Sequence, residues 1–162
     1  MLPDKSAVIA AIDADLLHQI EAATARARAI AESAVHDEAR SEDSHDTRAI
    51  EESYLARGQA QRVADMELDR ATIRSLVPLD FSKGRPIAAT ALVALEDDSE
   101  QCLVVFLAPA AGGLSVEVEG TTVRVVSPQA PLGSAVVGKS FDDDVEVKAG
   151  RTHREYSIVA VR

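Results

Sequence analysis

The chain has 162 residues, 27 Asp and Glu against 17 Lys and Arg, a formal charge of −10, 46% apolar residues and no Trp. That apolar share makes it globular and long enough for one ordinary domain or two small ones, while its negative field argues against free DNA or RNA as a first partner, since each phosphate contact needs a cation. A single cysteine, Cys102, excludes an internal disulfide and a multi-cysteine zinc site, and its place beside the apolar run Leu103 to Leu107 predicts a small buried hydrophobe.

Residues 6 to 77 are dominated by Ala, Glu, Arg, Ile and Leu, with one Gly and no Pro, which is a helical alphabet. Ser6 is a candidate N-cap. Ile9, Ile12, Leu16, Ile20, Ala23, Ala27, Ile30 and Ala34 recur at spacings of three and four and form one helix face, its second half lined by Ala so that a partner helix can approach closely. A weaker stripe follows at Leu55, Val63, Met66, Ile73 and Val77. Between the two lies Asp37 to Asp46, which holds five of the fifteen acids of residues 1–77 and is rich in turn-forming Ser and Asp. Two helices of about 30 residues joined by this polar tip predict an antiparallel hairpin, a rod roughly 45 Å long with an acidic end. Arg57, Arg62, Arg70 and Arg74 alternate with acids along the second arm and read as a solvated face.

Residues 78–86 carry two prolines and a glycine and read as a linker, so the expected organisation is a helical hairpin over 1–77, the linker 78–86, and a β-rich domain over 87–162. Strand-length apolar runs occupy Ile87 to Leu95, Cys102 to Leu107, Leu114 to Val118, Val123 to Val126, Val145 to Val147 and Tyr156 to Val161. Glu96-Asp97-Asp98 is a polar turn, Gly112-Gly113 can supply positive φ, and Glu119-Gly120 is a hairpin signal. Pro131 to Gly138, with Leu132, Ala135 and Val136 at helical spacing, predicts one short helix. The fold class is therefore α+β: an N-terminal antiparallel α-helical hairpin, or coiled coil, followed by an antiparallel sheet of five or six strands with one short helix packed on it.

Chemistry is sparse along the chain. There is no Gly-x-Ser-x-Gly elbow and no Gly-x-x-x-x-Gly-Lys phosphate loop. His36, Asp37, Glu38, Glu42, Asp43, His45 and Asp46 bring imidazole and carboxylate together, but without the His-x-x-x-His spacing of a helical zinc site. The ordinary reading of such a tip is a solvated turn. Its place at the end of a rod allows another: carboxylates inserted into a cavity of a larger macromolecule can join a divalent ion held mainly by the host. No apolar stretch approaches the roughly 20 residues that cross a bilayer, and the start lacks a charged region leading into a secretory core, which gives a cytoplasmic expectation.

The order of helical hairpin, acidic tip, Pro-containing linker and β-rich domain resembles the bacterial Gre-type transcript cleavage factors. The most specific segment is Val126 to Lys139, whose Pro128-Gln129-Ala130-Pro131-Leu132-Gly133-Ser134-Ala135-Val136-Val137-Gly138-Lys139 resembles the family's Pro-x-Ser-Pro-Leu-(Gly/Ala)-x-Ala-Leu-x-Gly-Lys, with Ala130 in place of Ser. Asp143-Asp144-Val145-Glu146-Val147 and Arg154-Glu155-Tyr156-Ser157-Ile158 resemble its Gly-Asp-x-Val-x-Val and Arg-x-Tyr-x-Ile endings.

The resemblance implies an FKBP-like second domain that docks on RNA polymerase, here through Pro131, Leu132 and Gly133, and a hairpin that reaches through the secondary channel. It implies a factor that is not itself an enzyme but stimulates the polymerase's own cleavage of backtracked RNA, meeting nascent RNA only within the complex; no membrane partner and a monomeric state are separate expectations. Its tip acids would help hold a magnesium shared with the polymerase, with no cofactor of the factor's own. Matching the family's Asp-Leu-x-Glu-Asn-Ala-Glu-Tyr stretch at its Glu-Asn pair gives Glu42-Asp43, with Ala39 three positions before Glu42 and the nearest acid at Glu38. The tip residues in order are Glu42, Asp43, Asp46 and Glu38, with Glu42 and Asp43 as magnesium ligands only jointly with the polymerase. A channel-binding regulator or inhibitor without cleavage stimulation is the first alternative. An FKBP-like isomerase or chaperone is the second, set against the few aromatics of residues 85–162, Phe106, Phe141 and Tyr156, two of which the core would want. A hairpin adaptor for another protein is the residual case.

Overall fold

The computed structural model describes residues 1–38, 46–81, 84–150 and 152–162. Helix α1 runs Lys5–Glu38 and α2 Asp46–Arg74. Asp4 caps α1, its Oδ2 accepting the backbone N–H groups of Ser6 at 2.9 Å and Ala7 at 3.2 Å. The cap is thus two residues earlier than Ser6, because an Asp just before the first turn satisfies two otherwise unpaired N–H groups and complements the helix dipole. The arms are antiparallel: Asp13 meets Arg70 through a two-pronged ion pair of 2.7 and 3.2 Å, and farther along α1 residues between His18 and Ile30 line one groove with Gln59, Arg62 and Met66, earlier in α2.

Strands β1 (Leu92–Glu96), β2 (Cys102–Leu107), β3 (Ser115–Val118), β4 (Thr121–Val126), β5 (Asp144–Ala149) and β6 (Thr152–Val161), with helix α3 (Pro131–Val136) between β4 and β5, complete the order. They form one sheet in the order β3-β4-β2-β1-β6-β5. The sheet is mixed rather than wholly antiparallel, since β2 and β4 are parallel, Val104 opposite Val123 and Leu107 opposite Val126. The cause is local. Glu119 and Gly120 both have positive φ, 52° and 74°, and make the tight turn that returns β4 between β3 and β2.

The central strand β1 is buried along nearly its whole length, so its apolar run is continuous instead of alternating. Leu92 and Ala94 face one cluster with Phe106, Val123 and Val125, while Val93 and Leu95 face the other with Leu107, Val136, Tyr156 and Ile158. The first cluster is completed by Val8, Ile12 and Leu16 of α1 and Ile73 of α2. The base of the hairpin therefore covers one sheet face, and α3 with Phe81 and Ile87 covers the other. Ile87 to Ala91 do not extend β1: Thr90 takes φ 73°, and Ile87 exchanges backbone hydrogen bonds with Gly138 and Lys139 beyond α3.

Two side-chain expectations change. Cys102 is exposed, not buried, because it is the first residue of β2 and pairs with Glu96 beside the 97–101 turn that closes the β1/β2 hairpin. The Ala-lined half of α1 does not close tightly on α2. Ala22, Ala23 and Ile30 with Gln59, Arg62 and Met66 leave a groove of about 350 Å³, and Ile30 is 57% exposed. Short Ala side chains opposite long polar ones cannot fill the seam. Leu55 and Val77 of the weaker stripe are also exposed.

Candidate functional site

Glu42 and Asp43 lie outside the described residues. Glu38 is the last residue of α1 and Asp46 the first of α2, so the four tip candidates occupy the stretch of chain that joins the two arms. What the structure describes is how the rod is mounted. At 1.5 Å per residue the 34 residues of α1 span about 51 Å. Among the described residues, those of α1 buried with the sheet, Val8, Ile12 and Leu16, lie in the first third of that length.

Several polar ties hold the mount. Asp69 of α2 accepts the Ala111 backbone N–H at 3.1 Å, where Ala111 has φ 59° in the β2–β3 connection. Arg162 donates to the carbonyl oxygens of Leu2 and Pro3 and to Asp4 Oδ1 at 3.0 Å, tying the end of β6 to the start of α1. Lys5 is buried, donates to the Leu79 carbonyl oxygen and has its ammonium 5.0 Å from the centre of the Phe81 ring. Burial pushes the Lys5 pKa below the ordinary lysine value; Asp80 opposes that shift, Arg162 adds to it and Asp4 opposes it. These contacts tie the base of the rod to the β2–β3 connection, to the end of β6 and to the Leu79–Phe81 segment.

The α3 corner is built from Ala130 to Val137. Pro131 occupies the first turn of α3, where its missing N–H would be unpaired anyway, and it is exposed. Leu132 is half-buried against the cluster of Val93, Leu107 and Val136. Gly133 is buried: a Cβ there would lie 2.0 Å from the Ser127 carbonyl oxygen, so its place is set by close packing of α3 on the end of β4. Of the three docking candidates, Pro131 thus offers the most free surface. The segment after α3 adds two exposed apolar side chains that the sequence reading did not choose, Val137 at 41% and Phe141 at 62%. Apolar residues in a stretch rich in Gly, Ser and Asp were the available signal. Phe106 and Tyr156 are buried in the clusters on opposite sheet faces, so the three aromatics of this part do not surround one cavity.

A second polar constellation lies on β5 and β6, where Glu146, His153 and Glu155 each place a ligand atom within 4.8 Å of the others. Glu146 Oε2 is 3.0 Å from Lys148 Nζ, and His153 Nε2 contacts its other oxygen. Hydrogen bonds from Lys148 and then His153 hold the Glu146 carboxyl below the usual glutamate range. No sequence motif announced this group, because its members come together only by strand register. Among the described residues no helix is long and apolar enough to cross a membrane.

Residues 87–162 match the family model described as Transcription elongation factor, GreA/GreB, C-term. No curated protein matches the chain. Solved structures similar to it include the GreA factor homolog 1 (Gfh1) protein of Thermus thermophilus, 24% identical over 93% of this chain and 94% of that one with a TM-score of 0.39. Gfh1 of Thermus aquaticus is 21% identical over 91% and 92%, TM-score 0.39. The prokaryotic transcription elongation factor GreA/GreB from Nitrosomonas europaea is 23% identical over 59% and 78%, TM-score 0.36.

Proposed function

We propose that the chain, whose residues 87–162 match the GreA/GreB C-terminal family model, is a Gre-type transcription elongation factor that binds RNA polymerase in the cytoplasm and extends its hairpin through the secondary channel. The family match carries this reading. The rod supports it physically: among the described residues, the hairpin's buried contacts with the sheet lie at its base. Pro131 and Leu132 at the α3 corner, beside buried Gly133, are the proposed docking residues.

Glu42 and Asp43, with Asp46 next and Glu38 last, would supply carboxylate oxygens toward a magnesium held mainly by the polymerase, an ion that prefers hard oxygen ligands. Such an ion would supply water activation for cutting backtracked RNA, while these carboxylates would position oxygen and do no chemistry alone. The factor needs no cofactor of its own, acts as a monomer and meets nascent RNA only inside the complex. Halted, backtracked complexes test this. The wild type should shorten the transcript, and Glu42→Ala with Asp43→Ala should lose on the order of 10-fold or more of that rate, the size of loss met when support for a catalytic metal is removed, while still co-purifying with polymerase.

A second reading keeps the docking and makes the protein an inhibitor. The observation behind it is Ala39, which stands where the family's tip has its first acid. Slower nucleotide addition with no transcript shortening would replace the cleavage reading by this one.

A further inference from the structure

Glu146 on β5 stands directly opposite Glu155 on β6, and His153 lies two residues before Glu155, so the three side chains leave the same sheet face. All three are exposed, and β5 is the edge strand. Glu146 and Glu155 are like charges directly opposite each other, Glu146 being held by Lys148 and His153. The shallow depressions beside them are lined by Glu96, Asp97, Asp98 and Asp144, with Arg154 on the margin of one. Lys148 meets one oxygen of Glu146 and His153 the other.

We propose that Glu146, His153 and Glu155 form a surface site for a first-row divalent transition ion of the zinc type. The donor set is one imidazole nitrogen and two carboxylate oxygens. That mixture suits zinc and its neighbours, whereas magnesium and calcium favour oxygen alone. Bonds of about 2.0–2.2 Å in a tetrahedron separate ligand atoms by roughly 3.4 Å. The separations, all within 4.8 Å, must therefore close by at most about 1.4 Å, while the direct His153–Glu146 contact must open to admit the ion. Side-chain rotation on the surface supplies that, since the paired backbone already holds the three Cβ atoms side by side. With three protein ligands, the ion keeps an outward position for water or for a donor from a partner surface. The site belongs to the β5–β6 hairpin and owes nothing to the carboxylates of the helical tip, so it stands or falls separately from the cleavage reading.

The test is titration of the full, metal-free chain with zinc chloride, followed by calorimetry and by the imidazole C–H signals of the four histidines. One zinc ion should bind with the His153 signals moving first. His153→Ala and Glu155→Gln should each weaken binding 10-fold or more without changing thermal unfolding of the metal-free protein, and equimolar magnesium should not displace the ion. Wild-type affinity in His153→Ala, His153 signals unmoved at saturation, or displacement by equimolar magnesium would each overturn the proposal.

Discussion

Gly133 has no room for a methyl group. The Ser127 carbonyl oxygen and carbon would lie 2.0 and 2.8 Å from an added Cβ, and both are backbone atoms that cannot swing aside. Gly133→Ala is therefore expected to destabilise the protein by about 1–3 kcal/mol, the usual cost of overpacking, read as a lower urea midpoint. Lys5 makes the second residue-scale prediction. Its folded pKa is depressed, so at intermediate pH the unfolded chain binds the proton more tightly than the folded one, and stability must rise with pH. The gain falls between the lowered folded value and the ordinary 10.5, and below that window the burial penalty is felt in full. Thermal unfolding compared across that alkaline range should show wild type gaining on Lys5→Met as pH increases; parallel curves would remove the linkage.

At the scale of elements, the hairpin is unevenly held. Near the base, Ile12 and Ile73 are fully buried; farther out, Ile30, Tyr54 and Leu55 are 57, 70 and 67% exposed. Local opening follows the density of buried contacts. Amide hydrogen exchange should therefore be slow around Ile12 and Ile73, comparable with β1, and progressively faster toward Ile30 and Tyr54. Uniform protection along both arms would contradict this. The Asp13–Arg70 pair, with both side chains about a quarter exposed, should contribute about 0.5–1 kcal/mol in a double-mutant cycle, since solvent screens it. Helical periodicity showed the base of the hairpin, because Ile12, Leu16 and Ile73 bury on the expected faces. It did not show that the upper seam stays open, since a row of Ala is compatible with close or loose packing until its opposite residues are known.

For the whole molecule, the decisive feature is that hairpin and sheet share one cluster. Ile12→Ala and Ile73→Ala should each cost about 2–5 kcal/mol, and because the cavity lies between helix and sheet, helical and tertiary signals should fall together in urea. A helical transition that precedes loss of the sheet would disprove the shared core.

The amino-acid sequence by itself determined the helix and strand alphabets, the Glu119-Gly120 turn, the short helix begun by Pro131, and the Val126 to Lys139 segment that carries the family likeness. These are local properties: propensity, turn chemistry and motif spacing act within a few residues. Only the tertiary structure decided that β4 runs parallel beside β2, that the hairpin base covers the sheet, that Cys102 and Phe141 are exposed, and that Glu146, His153 and Glu155 meet. Each of those depends on which distant segment becomes a neighbour. Burial and register are pairwise facts of packing, and a periodic pattern names the face to be covered without naming what covers it.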